Sequence, residues 1–188
     1  AFADRLFQTF EPAWDAAPAR GLRTTAGHRI EVRGRLDGMV EAARRGIADH
    51  AHAGSEGPRL LIALGGSLGL PRAPAWDHPY FNALSFENAL KDTRYRAHLH
   101  VGNGRFWQIF DRETGRGVEL LQHPGSAPEW DDGSPLRNFL TWHLSGDDAG
   151  LVHAGTLARN GRGVLFCGPG GSGKSGTVLA GIVAGLES

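Results

Sequence analysis

The chain lacks several features that would place it outside the reducing interior of a cell. Its one cysteine, Cys167, cannot form a disulfide within the chain, which argues against a disulfide-stabilised secreted scaffold. No apolar run approaches the roughly 20 residues that a membrane-spanning helix needs. Charged side chains occur too early in the sequence for a signal peptide. These absences predict a cytoplasmic protein that does not associate with a membrane.

An excess of charge is also missing. The 20 basic and 20 acidic residues cancel to a formal net charge of zero, and the pI is about 7.3. No basic stripe accompanies the five tryptophans, which are therefore expected at core or interface positions and not as stacking platforms for nucleobases. Nucleic acid is excluded as an expected partner.

What the chain does contain predicts an α/β protein. The first predicted domain, residues 1–147, is an α+β region. Alternation predicts a strand over 28–36, and a helical apolar period predicts a helix from Asp37 to about His50. The apolar face of that helix is formed by Met39, Val40, Ala43 and Ile47. Residues 53–58 are expected to break the chain's regular structure.

The sequence pattern in the middle of this region is less clear. Residues 60–64 form an apolar segment that is either a buried strand or the start of a buried helix, and a loop over 65–79 and a short helix over 85–91 follow. Three antiparallel strands are predicted over 95–101, 104–110 and 117–121. Ser134 and Pro135 are expected to begin a helix that ends near Ser145.

The second predicted domain, residues 148–188, begins a nucleotide-binding fold. Strands are expected over 151–158 and 164–167, and the second leads into Gly168-Pro-Gly-Gly-Ser-Gly-Lys174-Ser175. This octapeptide satisfies the phosphate-loop pattern G-x-x-x-x-G-K-[ST], and a helix with apolar residues at i, i+3, i+4 and i+7 follows it. Lysine is rare in the chain, which has only Lys91 and Lys174, yet one of the two stands where the motif requires it.

The loop predicts binding of ATP and Mg²⁺. Glycines allow successive backbone N–H groups to face an anion, and the helix N-terminus adds a partial positive charge. Lys174 would contact the phosphates, and the Ser175 hydroxyl would be a ligand of Mg²⁺. The residues expected to bind the nucleotide are Gly168, Gly170, Gly171, Ser172, Gly173, Lys174, Ser175 and Gly176.

Residues 151–175, L-V-H-A-G-T-L-A-R-N-G-R-G-V-L-F-C-G-P-G-G-S-G-K-S, resemble the HPr-serine kinase/phosphorylase family and its looser relatives. The resemblance implies a core like that of phosphoenolpyruvate carboxykinase. It places His153 near the transferred phosphate, so His153 and Lys174 are the predicted catalytic residues. It further implies a kinase that phosphorylates a Ser or Thr hydroxyl on a protein or peptide.

In that family an Asp-containing segment after the loop supplies the general base and a metal ligand. No such segment occurs in residues 176–188. The hypothesis from the sequence is therefore an incomplete catalytic part, completed by further chain, by a partner chain or by a homo-oligomer. Two alternatives stay open: a nucleotide-binding regulatory or partner-binding module without turnover, and a fragment of an ABC-type ATPase.

Other polar groups carry weaker predictions. The pairs His50/His52 and His98/His100 lack a third metal ligand at useful spacing and are expected to be solvated or packed. The acidic pairs Asp131-Asp132 and Asp147-Asp148 are expected in solvated turns, although the second pair precedes the His153 strand and is a weak candidate at Mg²⁺. Residues 65–69 do not have the spacing of a dinucleotide-binding loop and are expected to form a turn.

Overall fold

A computed structural model of the chain describes residues 2–25, 27–47, 54–72, 93–102, 104–128, 131, 134–146 and 149–188. The chain divides into two compact units, Ala1–Ala149 and Gly150–Ser188. Among the helices described, none is long and apolar enough to cross a membrane. The predicted helix at 85–91, the pair His50/His52 and the pair Asp147/Asp148 lie outside the described residues.

The first unit is built on a six-stranded mixed sheet with the strand order β1-β2-β3-β6-β5-β4. Strand β2 is parallel to β3, and β3 is parallel to β6, whereas the other neighbours are antiparallel. The strands are β1 (Ala19–Thr25), β2 (His28–Gly34), β3 (Ser55–Leu64), β4 (Tyr95–Gly102), β5 (Gly104–Asp111) and β6 (Arg116–Leu121). The mixed α/β class expected from the sequence is confirmed for this unit.

Helices cover both faces of this sheet. The helices of the first unit are α1 (Phe2–Gln8), α2 (Phe10–Ala16), α3 (Asp37–Gly46) and α4 (Arg137–Leu144). Helices α1 and α2 pack on one face, in a core that includes Phe10, Trp14 and Leu61. Helices α3 and α4 pack on the other face, with Leu60 and Phe139. Because both faces of β3 are buried where the helices cover it, residues 60–64 of this strand are continuously apolar and do not alternate.

Several sequence-based predictions for this unit are confirmed. The predicted strands from 28 and from 95 to 121 are present, and of the two alternatives left open for residues 60–64 the buried strand is the one observed. Val40 and Ala43 lie buried on one side of α3, as their spacing predicts, together with Ile47 directly after the helix, and Met39 is partly buried there. Trp14 and Trp107 are core residues. Residues 65–69 form a turn in which Gly66 and Gly69 have positive φ.

Other predictions for this unit were wrong. Strand β3 begins at Ser55, so most of the segment read as a break is part of a strand. An added Cβ at Gly57 would lie 2.8 Å from the carbonyl oxygen of Arg29, so this glycine permits close approach of β2. Helix α3 ends at Gly46, before His50, and α4 begins at Arg137, where Leu136 at φ 60° and not Ser134 precedes the first turn. Asp131 is buried and not solvated.

The second unit contains a hairpin and one helix. Strands β7 (Ala154–Arg159) and β8 (Arg162–Cys167) are antiparallel, and Asn160 and Gly161 between them have φ values of 53° and 73°. Helix α5 (Lys174–Val183) follows β8 after the glycine-rich loop. Strand β7 begins three residues later than the sequence predicts, so His153 precedes it, and β8 begins two residues earlier.

Two glycines set the packing of α5 on β7. A Cβ added at Gly155 would lie 2.7 Å from Val178 Cγ2, and one added at Gly181 would overlap the side chain of Leu157. Leu157 and Gly181 are the buried residues of this unit, whereas many of its large apolar side chains are exposed. The exposed group comprises Leu151, Val152, Val164, Leu165, Leu179, Ile182 and Val183.

Candidate functional site

The glycine-rich loop connects β8 to the first turn of α5. Gly171 and Gly173 have φ values of 77° and 86°, which lie in the left-handed region that glycine adopts without strain. Gly173 is the N-cap of α5, and the first backbone bond of the helix runs from the Thr177 N–H to the Gly173 carbonyl, 2.9 Å away. The backbone N–H groups of Lys174, Ser175 and Gly176 therefore precede the first intrahelical bond.

Lys174 closes this loop on itself. Its ammonium group donates hydrogen bonds to the carbonyl oxygens of Gly168 at 2.8 Å and Pro169 at 2.9 Å. A longer contact of 3.4 Å joins it to the Ser172 hydroxyl. The loop also leaves no space for a side chain at Gly168, where an added Cβ would lie 2.9 Å from Ser172 Oγ. A positive charge is thus held at the mouth of a loop that has no acidic side chain of its own.

The structure brings His153, Lys174 and Ser175 together at one cleft. The cleft has a volume of about 440 Å³ and lies between the start of β7 and α5. Its polar wall is formed by these three residues and Thr156, and its apolar wall by Val178, Leu179 and Ile182. This volume is within the range of roughly 300–1,000 Å³ found for small-molecule sites.

The polar side chains on this wall are accessible. His153, Thr156 and Ser175 are exposed, and Lys174 is half-buried. Within the described residues we find no hydrogen bond from the His153 ring or from the Ser175 hydroxyl to another side chain or to the backbone. Both groups are therefore available to a ligand placed at the N-terminus of α5.

Thr156 is a lining residue that the sequence did not single out. It lies on β7 two residues after Ala154, and both residues reach the same cleft. The phosphate-loop motif covers only residues 168–175. The family resemblance that pointed to His153 gave no reason to select the hydroxyl of Thr156, three residues later. Alternation along the predicted strand would place His153 and Thr156 on opposite faces; both line the cleft because β7 begins only at Ala154, after His153.

Of the predicted metal ligands, the described part of the chain places only Ser175 at the cleft. Ser175 lines the cleft, but no aspartate or glutamate does so among the residues that the structure describes. Over the same described ranges there is no group of three or more His, Cys, Asp or Glu side chains able to hold a metal ion. His98 and His100 are half-buried on β4 and form no such group.

The remaining predicted binding residues lie along the loop or at the first turn of α5. Gly170 and Gly176 have open space where a Cβ would stand, so steric crowding does not require glycine at either position.

Comparison with protein-family models, curated proteins and solved structures found no significant match to this chain.

Proposed function

We propose that residues 150–188 carry the nucleotide-phosphate site of an ATP-dependent kinase related to the HPr-serine kinase/phosphorylase family. The reaction transfers the γ-phosphate of ATP to a Ser or Thr hydroxyl of a protein or peptide. The observation that carries this proposal is the meeting of Lys174, Ser175 and His153 at one cleft beside the N-terminus of α5.

The loop has the chemistry that a polyphosphate requires. Three backbone N–H groups at the start of α5, the partial positive charge of the helix end and the Lys174 ammonium all favour an anion at the same place. The contacts of Lys174 with Gly168 and Pro169 are to neutral carbonyl groups. A phosphate oxygen offers the ammonium a stronger, charge-assisted hydrogen bond.

Ser175 fits a ligand of Mg²⁺, since its hydroxyl is exposed and makes no hydrogen bond in the described part of the chain. Magnesium is usually held by few protein groups together with substrate phosphates and water, so one hydroxyl from this chain is compatible with that coordination. When bound, the ion would neutralise charge on the phosphates of ATP.

His153 is suited to orient the transferred phosphoryl group. Its ring is exposed at the polar wall of the cleft and can donate a hydrogen bond to an anionic oxygen. Its position just before β7 is fixed by the hairpin, whose partner strand β8 leads directly into the loop. His153, just before β7, and Lys174, at the start of α5, therefore lie at the two sides between which the cleft opens.

The base that accepts the hydroxyl proton would come from further polypeptide, either a completing chain or a second copy of this chain. The exposed apolar side chains of this unit support such a covering partner, since Leu179 is 64% and Val183 81% exposed. Large apolar side chains that remain in water are typical of surfaces that bind another polypeptide.

A second function is favoured by one observation, the absence of a carboxylate from the described lining of the cleft. A nucleotide-binding module would need the loop, Lys174 and Ser175 but no general base. In that case the nucleotide would order its surroundings or regulate a partner, and ATP would remain intact.

Label transfer from γ-labelled ATP separates these functions. The full chain is incubated with ATP, Mg²⁺ and a library of Ser- and Thr-containing peptides, beside the variants Lys174→Ala and Arg162→Ala. Arg162→Ala removes a positive charge at the end of β8 that is remote from the loop and serves as the matched control.

Transfer that requires a peptide, is lost in Lys174→Ala and persists in Arg162→Ala supports the kinase. Saturable ATP binding without ADP formation, even in the complete protein with its covering partner, selects the binding module. ADP formation that is independent of a peptide identifies an ATPase and overturns the kinase proposal.

A further inference from the structure

A buried carboxyl group in the first unit faces a small cavity. Glu119 lies on β6 and is 1% exposed, in the layer that α3 and α4 cover. The cavity has a volume of about 10 Å³ and is lined by Glu119, Asp131, Ile62 and apolar residues of α3. Asp131, in the segment before α4, is 6% exposed. Two acidic side chains thus border one space inside an apolar layer.

Hydrogen bonds assign different roles to the two oxygens of Glu119. The Asn138 side-chain amide donates to Gln108 Oε1 at 2.7 Å, so the other end of the Gln108 amide is the donor that faces β6. Gln108 Nε2 donates to Glu119 Oε2 at 2.9 Å. Oε2 is therefore an acceptor, and a proton on this carboxyl group would be carried by Oε1.

Oε1 of Glu119 is buried and has no hydrogen-bond partner among the described residues. Leaving a buried polar atom unpaired is costly, and it is rare in folded proteins unless an ordered water satisfies the atom. A cavity needs a volume of roughly 10–15 Å³ to hold one water molecule. The space beside Glu119 is of that size.

The cavity does not offer the coordination that a hard cation needs. Calcium takes about 6–8 oxygen ligands and magnesium an octahedral set. The lining supplies two carboxyl groups, and the other residues around it are Met39, Ala42, Ala43, Ile62, Pro135 and Leu136. A proton is the cation that this site accommodates, because one proton removes one of the two charges.

We propose that this cavity is a binding site for one water molecule, which bridges a protonated Glu119 to an ionised Asp131 and links β6 to the segment before α4. The Oε1–H group donates to the water, and the water donates to the Asp131 carboxylate. The buried Oε1 atom of Glu119 then has a hydrogen-bond partner.

The electrostatics agree with this arrangement. Burial, and next the charge of Asp131, raise the pKa of Glu119 to about 8, while the hydrogen bond from Gln108 opposes the shift. Within the described lining, Asp131 is the only titratable group besides Glu119. His98 lies one strand beyond Gln108 in the same cross-strand row, while Ile62 of β3 and Asn138 of α4 are uncharged.

A raised pKa in the folded state gives a definite pH dependence. The stabilisation from the protonated group is complete below the ordinary carboxyl value of 4.5 and is lost as pH rises through about 8. Glu119→Gln imitates the protonated form, since an amide can accept from Gln108 and donate into the cavity. This variant should melt close to the wild type at pH 5 and clearly above it at pH 9.

The test compares melting temperatures of the full chain between pH 4.5 and 9 for wild type, Glu119→Gln, Asp131→Asn and Glu56→Gln. Glu56 is an exposed residue of β3, and its variant is the matched control, expected to follow the wild type. In Asp131→Asn the loss of stability should end at a lower pH and be smaller in total, because the pKa of Glu119 is raised less without the facing charge. Infrared spectroscopy should show a carboxylic-acid C=O band at pH 7 that Glu119→Gln lacks.

Equal pH dependence in wild type and Glu119→Gln overturns the proposal, as does absence of the infrared band. Addition of Mg²⁺ or Ca²⁺ provides the remaining outcome. If either ion raises the melting temperature of the wild type but not of Glu119→Gln, the cavity binds a metal ion and the water bridge is wrong. No ion effect, with the band present, supports it.

Discussion

The ammonium group of Lys174 donates a hydrogen bond to the carbonyl oxygen of Gly168, 2.8 Å away, at the first residue of the loop that Lys174 completes. The lysine side chain therefore spans its own loop and holds it in a turn. A bound polyphosphate would exchange these neutral carbonyl acceptors for charged oxygens. The contact thus keeps the lysine at the place where the proposed polyphosphate would bind.

Replacement of this lysine by arginine tests whether a compact charge is needed. Lys174→Arg keeps the positive charge but substitutes a planar, larger group that does not fit the same three acceptors. We expect ATP affinity to fall by about tenfold or more, equivalent to about 1.4 kcal/mol or more. Calorimetric titration measures it, and unchanged affinity would show that charge alone is sufficient.

His153 is expected to act on transfer and not on binding. His153→Gln should lower the rate of phosphoryl transfer by about 100-fold, within the range for positioned acid–base or hydrogen-bonding groups, and leave the Kd for ATP within about twofold. His123→Gln changes an exposed histidine of the first unit and is the matched control. A fall in ATP affinity equal to the fall in rate would assign His153 to binding.

The glycines of α5 should respond differently to alanine. A Cβ at Gly181 overlaps Leu157, so Gly181→Ala should destabilise the second unit by about 1–3 kcal/mol. Gly176 has open space around it, and Gly176→Ala should be neutral or stabilising by up to about 1 kcal/mol because alanine favours helix. Urea unfolding followed by circular dichroism compares the two, and equal effects would contradict the packing of α5 on β7.

Glu11 on α2 is predicted to stabilise the first unit in a pH-dependent way. Its carboxylate accepts two hydrogen bonds from Arg59, at 2.8 and 2.9 Å, and pairs with Arg116 at 2.7 Å. The hydrogen bonds from Arg59 hold its pKa below the usual value of 4.5. Stability from this group is present above pH 4.5 and is lost as pH falls through the lowered pKa.

Glu11→Gln should therefore cost about 0.5–1 kcal/mol at pH 7, a figure limited because the side chain is partly exposed. The cost should be smaller at pH 3, where the pH is below the ordinary carboxyl value of 4.5 and part of this stabilisation is lost. Urea unfolding at both pH values measures it. Glu113→Gln is the control, since Glu113 makes one exposed ion pair with Arg94 and should change stability less. A cost that does not vary with pH would mean that the Arg59 and Arg116 contacts are not electrostatic in origin.

Local pattern was sufficient to predict some elements and not others. In strands β4, β5 and β6, polar and apolar residues alternate or turn residues follow the strand, so these strands were predictable. The loop before α5 was predictable because its motif residues have a fixed spacing. Helices α1 and α2 have seven residues each, too short for a period to stand out. Their helical state depends on burial against the sheet, which a sequence window does not contain.

Long-range packing explains the other errors. Gly57 and Pro58 were predicted to interrupt the regular structure. The close contact between Gly57 and the Arg29 backbone of the neighbouring strand cannot be seen in the sequence. The burial of Glu119 and Asp131 depends likewise on β5 and α4, so Asp131 was predicted in a solvated turn and no sequence pattern marked Glu119. At the candidate site, the loop followed from the motif, and the cleft shared with His153 and Thr156 followed from the hairpin.

The measurement that tests the central claim most directly is equilibrium binding of a fluorescent ATP analogue, with Mg²⁺, to wild type and Lys174→Ala. We expect saturable binding that unlabelled ATP displaces, with the Kd raised at least tenfold by the substitution and unchanged by Arg162→Ala. Equal binding by wild type and Lys174→Ala, or no displaceable binding by the wild type, would contradict a nucleotide-phosphate site at residues 168–175.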